Sequence, residues 1–129
     1  MAWQVVFHTE FEPEFVALSI SVQDELLAHA ILLSDYGPDL GRPMVDTLKG
    51  SKHGNMKELR FRYGKQVWRV AFAFDPTRQA LLLVAGDKAG ADQRLFYKRL
   101  IEKADSRLSL HLSELKPRLK EKSNGKKTR

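Results

Sequence analysis

Apolar side chains at positions 11, 15, 18, 22, 26, 30 and 33 recur in steps of three and four and mark one helical stripe. Within it, Ser21 followed by Asp24 has the spacing of a capping box, which predicts a break near residues 19–21 and two helices in place of one. Residues 3–8, WQVVFH, form a short β-rich segment before the stripe. Thr9 then stands as a candidate N-cap, with Glu10, Glu12 and Glu14 in an acidic first turn where Pro13 is tolerated. Tyr36-Gly37-Pro38 closes the second helix with a glycine cap and a proline. Residues 38–56, rich in Gly, Pro, Asp and Ser, read as a connection with room for some extended structure. Two alternating segments, 57–63 and 66–74, and a continuous apolar run, 80–86, then predict three strands. A long helix opens at Asp92 and carries Phe96, Leu100, Ala104, Leu108, Leu112 and Leu115 at a four-residue step. The expected order β-α-α-β-β-β-α describes an α+β domain over residues 1–115, a small, mainly antiparallel sheet with its helices on one face. Pro117 is expected to stop the last helix and leave 116–129 as a basic, disordered tail.

The turn Gly64-Lys65 has glycine at the first central position of a two-residue type II′ hairpin, so paired residue numbers should sum to 129. Leu59 then faces Val70 and Phe61 faces Trp68, and with Phe72 and Phe74 they form the packed face. The opposite face carries Glu58, Arg60 and Arg62 beside Arg69, Ala71 and Ala73, with Arg60 directly across from Arg69. Like charges in that relation are destabilising, and two converging guanidinium groups suit a phosphate. The same residues also permit a plainer arrangement, in which Glu58 pairs diagonally with one of the arginines on a solvated face. Lys52, His53 and Lys57 precede the first hairpin strand and could widen the positive patch. Lys88 lies in the glycine-flanked stretch GDKAG, while Tyr97, next to Phe96, reads first as a core or boundary tyrosine.

Charge supports a polyanion surface in the second half of the chain. Residues 1–48 hold one basic residue against eight acids, a net −7; residues 49–113 hold fourteen against six, a net +8; and the last sixteen hold seven against two, a net +5. Zero cysteines exclude disulfides, thiol catalysis and thiolate metal sites. The four histidines, at 8, 29, 53 and 111, lack ligand spacing, so no metal or other cofactor is expected. With no apolar run longer than residues 80–85 and no basic leader, a cytoplasmic protein without a membrane segment is expected.

Three stretches carry a resemblance: LGRPMVDTLKGSKHGNMKELRFRY (40–63), VWRVAFAFDPTRQALLLVAGDKAG (67–90) and RLFYKRLIEKAD (94–105). Over residues 3–115 the chain resembles the RelE superfamily of toxins from type II toxin-antitoxin systems, nearest to the HigB-like branch with phage-derived members. The resemblance implies a RelE-like fold and an endoribonuclease that cuts messenger RNA on the ribosome. It also implies a silencing partner, a helix-turn-helix antitoxin of the HigA-like kind. Arg69 matches the arginine of the Trp-Arg-Val strand that contacts the scissile phosphate, Arg60 the Leu-Arg position, and Lys88 the basic residue after the last strand. Tyr97 matches by region alone. Lys57, Arg62, His53 and Lys52 become candidate RNA contacts, and the choice of general base among His53, Lys88 and Tyr97 stays open. Two other readings keep the fold: a ParE-like toxin that binds gyrase, and a non-catalytic RNA-binding module. The strand aromatics fall on the packed face, away from where a stacking RNA binder would display them.

Overall fold

The computed structural model describes residues 2–90 and 92–127, residues 117–127 by their backbone alone. Its elements are β1 (Gln4–Phe7), α1 (Phe11–Val16), α2 (Ile20–Tyr36), a 3-10 turn (Gly37–Asp39), β2 (Val45–Thr47), β3 (Lys57–Tyr63), β4 (Gln66–Phe74), β5 (Gln79–Asp87) and α3 (Gln93–Lys127). The strands form one sheet in the order β1-β5-β4-β3-β2; β1 runs parallel to β5 and every other neighbouring pair is antiparallel. The expected α+β order is therefore present, with β2 added from within the connection over 38–56.

The hairpin register is the one the Gly64-Lys65 turn dictates: Leu59 pairs with Val70, Arg60 with Arg69 and Phe61 with Trp68. Between Ala71 and Phe72 the β4–β5 ladder shifts by one, which leaves Leu83 as an extra residue on β5. Leu83 and Val84 consequently both belong to the same core cluster.

Helices cover both faces of the sheet, where one covered face was expected. Phe11, Phe15, Val22, Leu26 and Leu33 of α1 and α2 pack on Leu59, Phe61, Val70 and Phe72. Leu100, Ala104 and Leu108 of α3 pack on the other side against Ala71, Ala73, Leu81 and Leu83. The cause is β5, whose unbroken apolar run must be buried on both sides, together with the two alanines of β4, whose small side chains admit a helix. The room those alanines leave is filled by α3.

Local caps differ from expectation in detail. The break between the first two helices is present, and Ser19, in place of Ser21, caps α2 by accepting from the Val22 N–H at 3.3 Å. Thr9 does not cap α1. Glu10 holds that position without a side-chain bond, and the His8 Nδ1 accepts the Glu10 N–H at 3.1 Å. Asp92 caps α3 by accepting the Leu95 N–H at 3.0 Å. The helix does not stop at Pro117; its backbone continues to Lys127, where a disordered tail was expected. A proline removes one helical hydrogen bond, and the strong helix formers around it (Leu115, Lys116, Arg118, Leu119, Lys120) carry the helix across. Leu115 is the last buried side chain among those described.

Candidate active site

Alternation along β3 and β4 sends Glu58, Arg60 and Arg69 to the face that α3 partly covers, near the start of that helix. There the plainer of the two arrangements is realised and extended: Glu58 binds both arginines. Its carboxylate accepts from Arg60 Nη2 at 2.9 Å and lies 3.9 Å from Arg69 Nε. Tyr97, from the first turns of α3, donates its hydroxyl to the other oxygen, Oε1, at 3.0 Å. Glu58 is 4% exposed, a buried carboxylate at the centre of a cationic pair. The cross-strand repulsion anticipated between Arg60 and Arg69 is thus offset by a charge wedged between them. Asp46 of β2 adds a second carboxylate 3.6 Å from Arg60 Nη2.

The two guanidinium groups have different surroundings. Arg69 is the more enclosed, its side chain 15% exposed against 38% for Arg60. Its guanidinium carbon stands 5.7 Å from the ring centroids of both Phe96 and Tyr97, and its Nη1 donates to the Val67 carbonyl at 3.2 Å. Both Nε atoms are buried without a hydrogen-bond partner. Of the five N–H donors on each group, few are used within the protein, so both retain donor capacity for a bound oxyanion. The hydrogen bond to Glu58 raises the Arg60 pKa further, so that guanidinium is permanently charged. Burial, then the charge of Glu58, raises the Tyr97 phenol, which is neutral at physiological pH.

Phe96 approaches the sheet because position 86 is glycine. A Cβ there would come 2.9 Å from the Phe96 ring. Gly86 pairs with Arg69, so the same glycine lets α3 bring its aromatic pair over that arginine.

Lys88 stays two residues past the Gly86–Arg69 pair, and most of the other anticipated residues lie elsewhere. Lys88 lies just past the Trp68–Asp87 rung, and its ammonium donates to Gln93 Oε1 at 3.3 Å. Arg62 shares the face of Arg60 and is exposed. Lys57 falls on the alternate parity, the side of Leu59, and so leaves the patch. His53 and Lys52 lie along α3 instead: His53 Nε2 bonds Ser109 Oγ at 2.9 Å, and the Lys52 N–H donates to Asp105 Oδ2 at 3.1 Å. Ser109 is twelve residues beyond Tyr97 on the helix, roughly 18 Å along its axis, which places His53 away from the arginine pair. The residue that sequence reasoning undervalued is Glu58. Its signal was present in the alternation, which put it on the arginine face two residues from Arg60. Among the described residues no three His, Asp or Glu side chains gather as a metal site.

Residues 13–109 match the family model described as phage-derived protein Gp49-like (DUF891). The chain is 44% identical over 103 residues to a Mycobacterium tuberculosis protein named as toxin HigB3, an alignment that covers 80% of this chain and 88% of that one. It is 44% identical over 106 residues to one named as toxin HigB2 of the same organism; that alignment covers 78% of this chain but only 52% of the relative, so the chain spans about half of HigB2. Among solved structures, a double arginine-to-alanine mutant of the E. coli toxin RelE in the free state superposes with a TM-score of 0.56 at 12% identity, over 80% of this chain and 97% of that one. The sheet shares the fold of RelE, the relatives named as HigB toxins are 44% identical, and the family model spans residues 13–109: the chain belongs to the Gp49-like family.

Proposed function

We propose that this chain is the toxin of a toxin-antitoxin pair and an endoribonuclease that cuts messenger RNA on the ribosome. The observation that carries the reading is a single cluster in which Arg60 and Arg69 share the Glu58 carboxylate while Tyr97 holds that same carboxylate from the other side. Cleavage by a ribose 2′-hydroxyl needs a base, charge stabilisation on the phosphorane and a proton for the departing 5′-oxygen. A phosphate entering between the arginines competes for the donors that now face Glu58. Its binding frees the carboxylate, which takes the 2′-hydroxyl proton as the 2′-oxygen attacks phosphorus. The bond from phosphorus to the 5′-oxygen breaks, leaving a 2′,3′-cyclic phosphate, and Lys88 protonates the leaving oxygen. Tyr97 positions Glu58 throughout. These groups supply every proton and charge the step requires, so the reading invokes no metal or cofactor.

Such an enzyme works in the cytoplasm, with the ribosome aligning its RNA and a helix-turn-helix, HigA-like antitoxin holding it inactive. Among the described residues no helix is long and apolar enough to cross a membrane. The test is cleavage of messenger RNA on programmed ribosomes by folded variants. Arg69→Ala should lose on the order of a hundredfold or more in rate, the usual effect of removing one transition-state contact, and Arg69→Lys should recover only part. Full cleavage by Arg69→Ala would remove the proposed site, and a wild-type chain that cleaves nothing would favour a toxin that acts by binding.

A further inference from the structure

Strand β2 accompanies β3 for only three residues, pairing with Lys57, Glu58 and Leu59. One more bond, from the Arg60 N–H to the Met44 carbonyl at 2.7 Å, closes the contact. Beyond it, the outer edge of β3 has no strand neighbour among the described residues. A cleft of about 610 Å³ opens around that free edge, with walls from both faces of the sheet. One wall is cationic, made of Arg60, Arg62 and Arg69; the other is apolar and aromatic, made of His29, Met44 and Phe61.

The aromatic wall is an ordered column. His29 of α2 stacks on Phe61, centroids 5.4 Å apart and planes 30° from parallel, and Phe61 stacks on Trp68 at 6.4 Å and 8°. His29 is also fixed in its tautomer. Its Nδ1 lies 2.9 Å from the Glu25 carbonyl, and since a carbonyl only accepts, Nδ1 carries the proton. In the neutral ring, Nε2 is then an acceptor at the distal end of the side chain.

Guanidinium groups on one side of the free strand edge and aromatic and apolar groups on the other offer contacts to the two halves of a nucleotide laid across that edge, an anionic phosphate and a flat base with a polar edge. We propose that this cleft is a nucleobase subsite, in which His29 reads the base attached to the phosphate held by the arginines. The inference rests on the reading of Arg60 and Arg69 as a phosphate site. Nε2 accepts a hydrogen bond from the base, from an exocyclic amino group in adenine and cytosine or from the ring N–H in uracil. His29 is thereby a base-contacting residue, distinct from the groups that move protons at the sugar and phosphate.

The test uses the full chain, isotopically labelled, titrated in separate experiments with adenosine, cytidine and uridine 3′-monophosphates and with ribose 5-phosphate. The His29 ring C–H signals and the arginine Nε–H signals are followed by NMR. All three nucleotides should shift both sets, whereas ribose 5-phosphate should shift the arginines alone. His29→Ala should weaken binding of the adenosine nucleotide by about threefold to tenfold, the effect of one hydrogen bond, without changing affinity for ribose 5-phosphate. His29→Gln, which retains an acceptor, should recover part of the loss. Nucleotides that move the arginine signals while leaving His29 unmoved would overturn the base subsite and leave the phosphate site standing. If no compound moves the arginine signals, the phosphate site falls and the base subsite falls with it. Since the wild-type titration decides between these outcomes, the inference stands or falls even if a His29 variant does not fold.

Discussion

Tyr97 and Glu58, thirty-nine residues apart in sequence, meet at 3.0 Å and join the start of α3 to the centre of the sheet. The bond makes Glu58 a carboxylate with a donor on each oxygen, one from a neutral phenol and one from a guanidinium. It also sets opposite expectations for variants at its two ends.

Glu58→Gln preserves size and an acceptor for one neighbour but removes the charge that offsets Arg60 and Arg69. Messenger RNA cleavage on ribosomes should fall by about a hundredfold or more, the range for loss of a positioned base, while single-stranded RNA binds more tightly because the site gains a net positive charge. A variant that cleaves normally would remove Glu58 from the chemistry.

Tyr97→Phe removes the donor alone. Its cost in stability should be about 1 kcal/mol, one hydrogen bond to a buried acceptor, measurable by urea denaturation. The phenol pKa is raised in the folded state above its ordinary 10.0, because burial and then Glu58 disfavour the phenolate. The associated stability is complete below pH 10 and is lost as pH rises through the raised folded value. Wild type should therefore show an alkaline decline in stability above pH 10 that Tyr97→Phe lacks. A fall in kcat at unchanged KM in this variant fits a positioning role, since the base itself is still present.

Arg107 of α3 is 7% exposed, and Nη1 and Nη2 grip Glu14 of α1 at 2.8 and 2.6 Å. The bond to Arg107 holds the Glu14 pKa below its ordinary 4.5. Stability from this pair is therefore present above pH 4.5 and disappears as pH falls through the lowered value. Arg107→Met, which keeps the packing of the stem, should lower stability by about 1–3 kcal/mol at pH 7 and flatten the acid limb. Equal losses at pH 7 and pH 2 would show that packing alone is involved.

Asp75 closes the β4–β5 turn. Its Oδ1 accepts from the Thr77 N–H and hydroxyl, both at 2.8 Å, and from the Gln79 N–H at 3.1 Å, while Oδ2 faces His111 Nε2 at 2.8 Å. Burial alone would raise its pKa, but the bonds from His111, Thr77 and Gln79 outweigh burial and lower it below 3.8. Asp75→Ala should cost about 2–3 kcal/mol and leave RNA cleavage by the folded fraction intact, which thermal denaturation and ribosome assays together would check.

The local parts of this architecture were legible in the sequence because their causes are local. A two-residue turn with glycine first fixes a register, and from that register Arg60 must face Arg69. The helix break near Ser19 and the glycine cap at Gly37 follow from residues within one turn. Which face each helix would cover was not legible. Alternation says that Ala71 and Ala73 share a side, but nothing within a few residues of them says that α3 lies there. The same limit hid the contact between Glu58 and Tyr97, which depends on where a helix begins relative to a distant strand. His53 lies away from the arginine pair for the converse reason: its sequence neighbours pointed toward the hairpin, whereas Ser51, bonded to Asp105, ties its loop to α3.

The extra residue on β5 has a consequence for how this strand tolerates changes of length. Leu82 pairs with Phe72 and Val84 with Ala71, partners that are already consecutive on β4. Deleting Leu83 would make their counterparts consecutive too, so Gly86 would remain opposite Arg69 and every other β5 side chain would keep its layer. Deletion of any residue from Val84 to Gly86 would instead bring a different residue against Phe96 unless the bulge absorbed the change. What the molecule would forfeit at position 83 is one fully buried leucine and the carbonyl to which Arg107 Nη1 donates at 2.7 Å. The bulge is thus an expansion joint, a place where lineages of this fold can gain or shed a residue without moving the arginine pair.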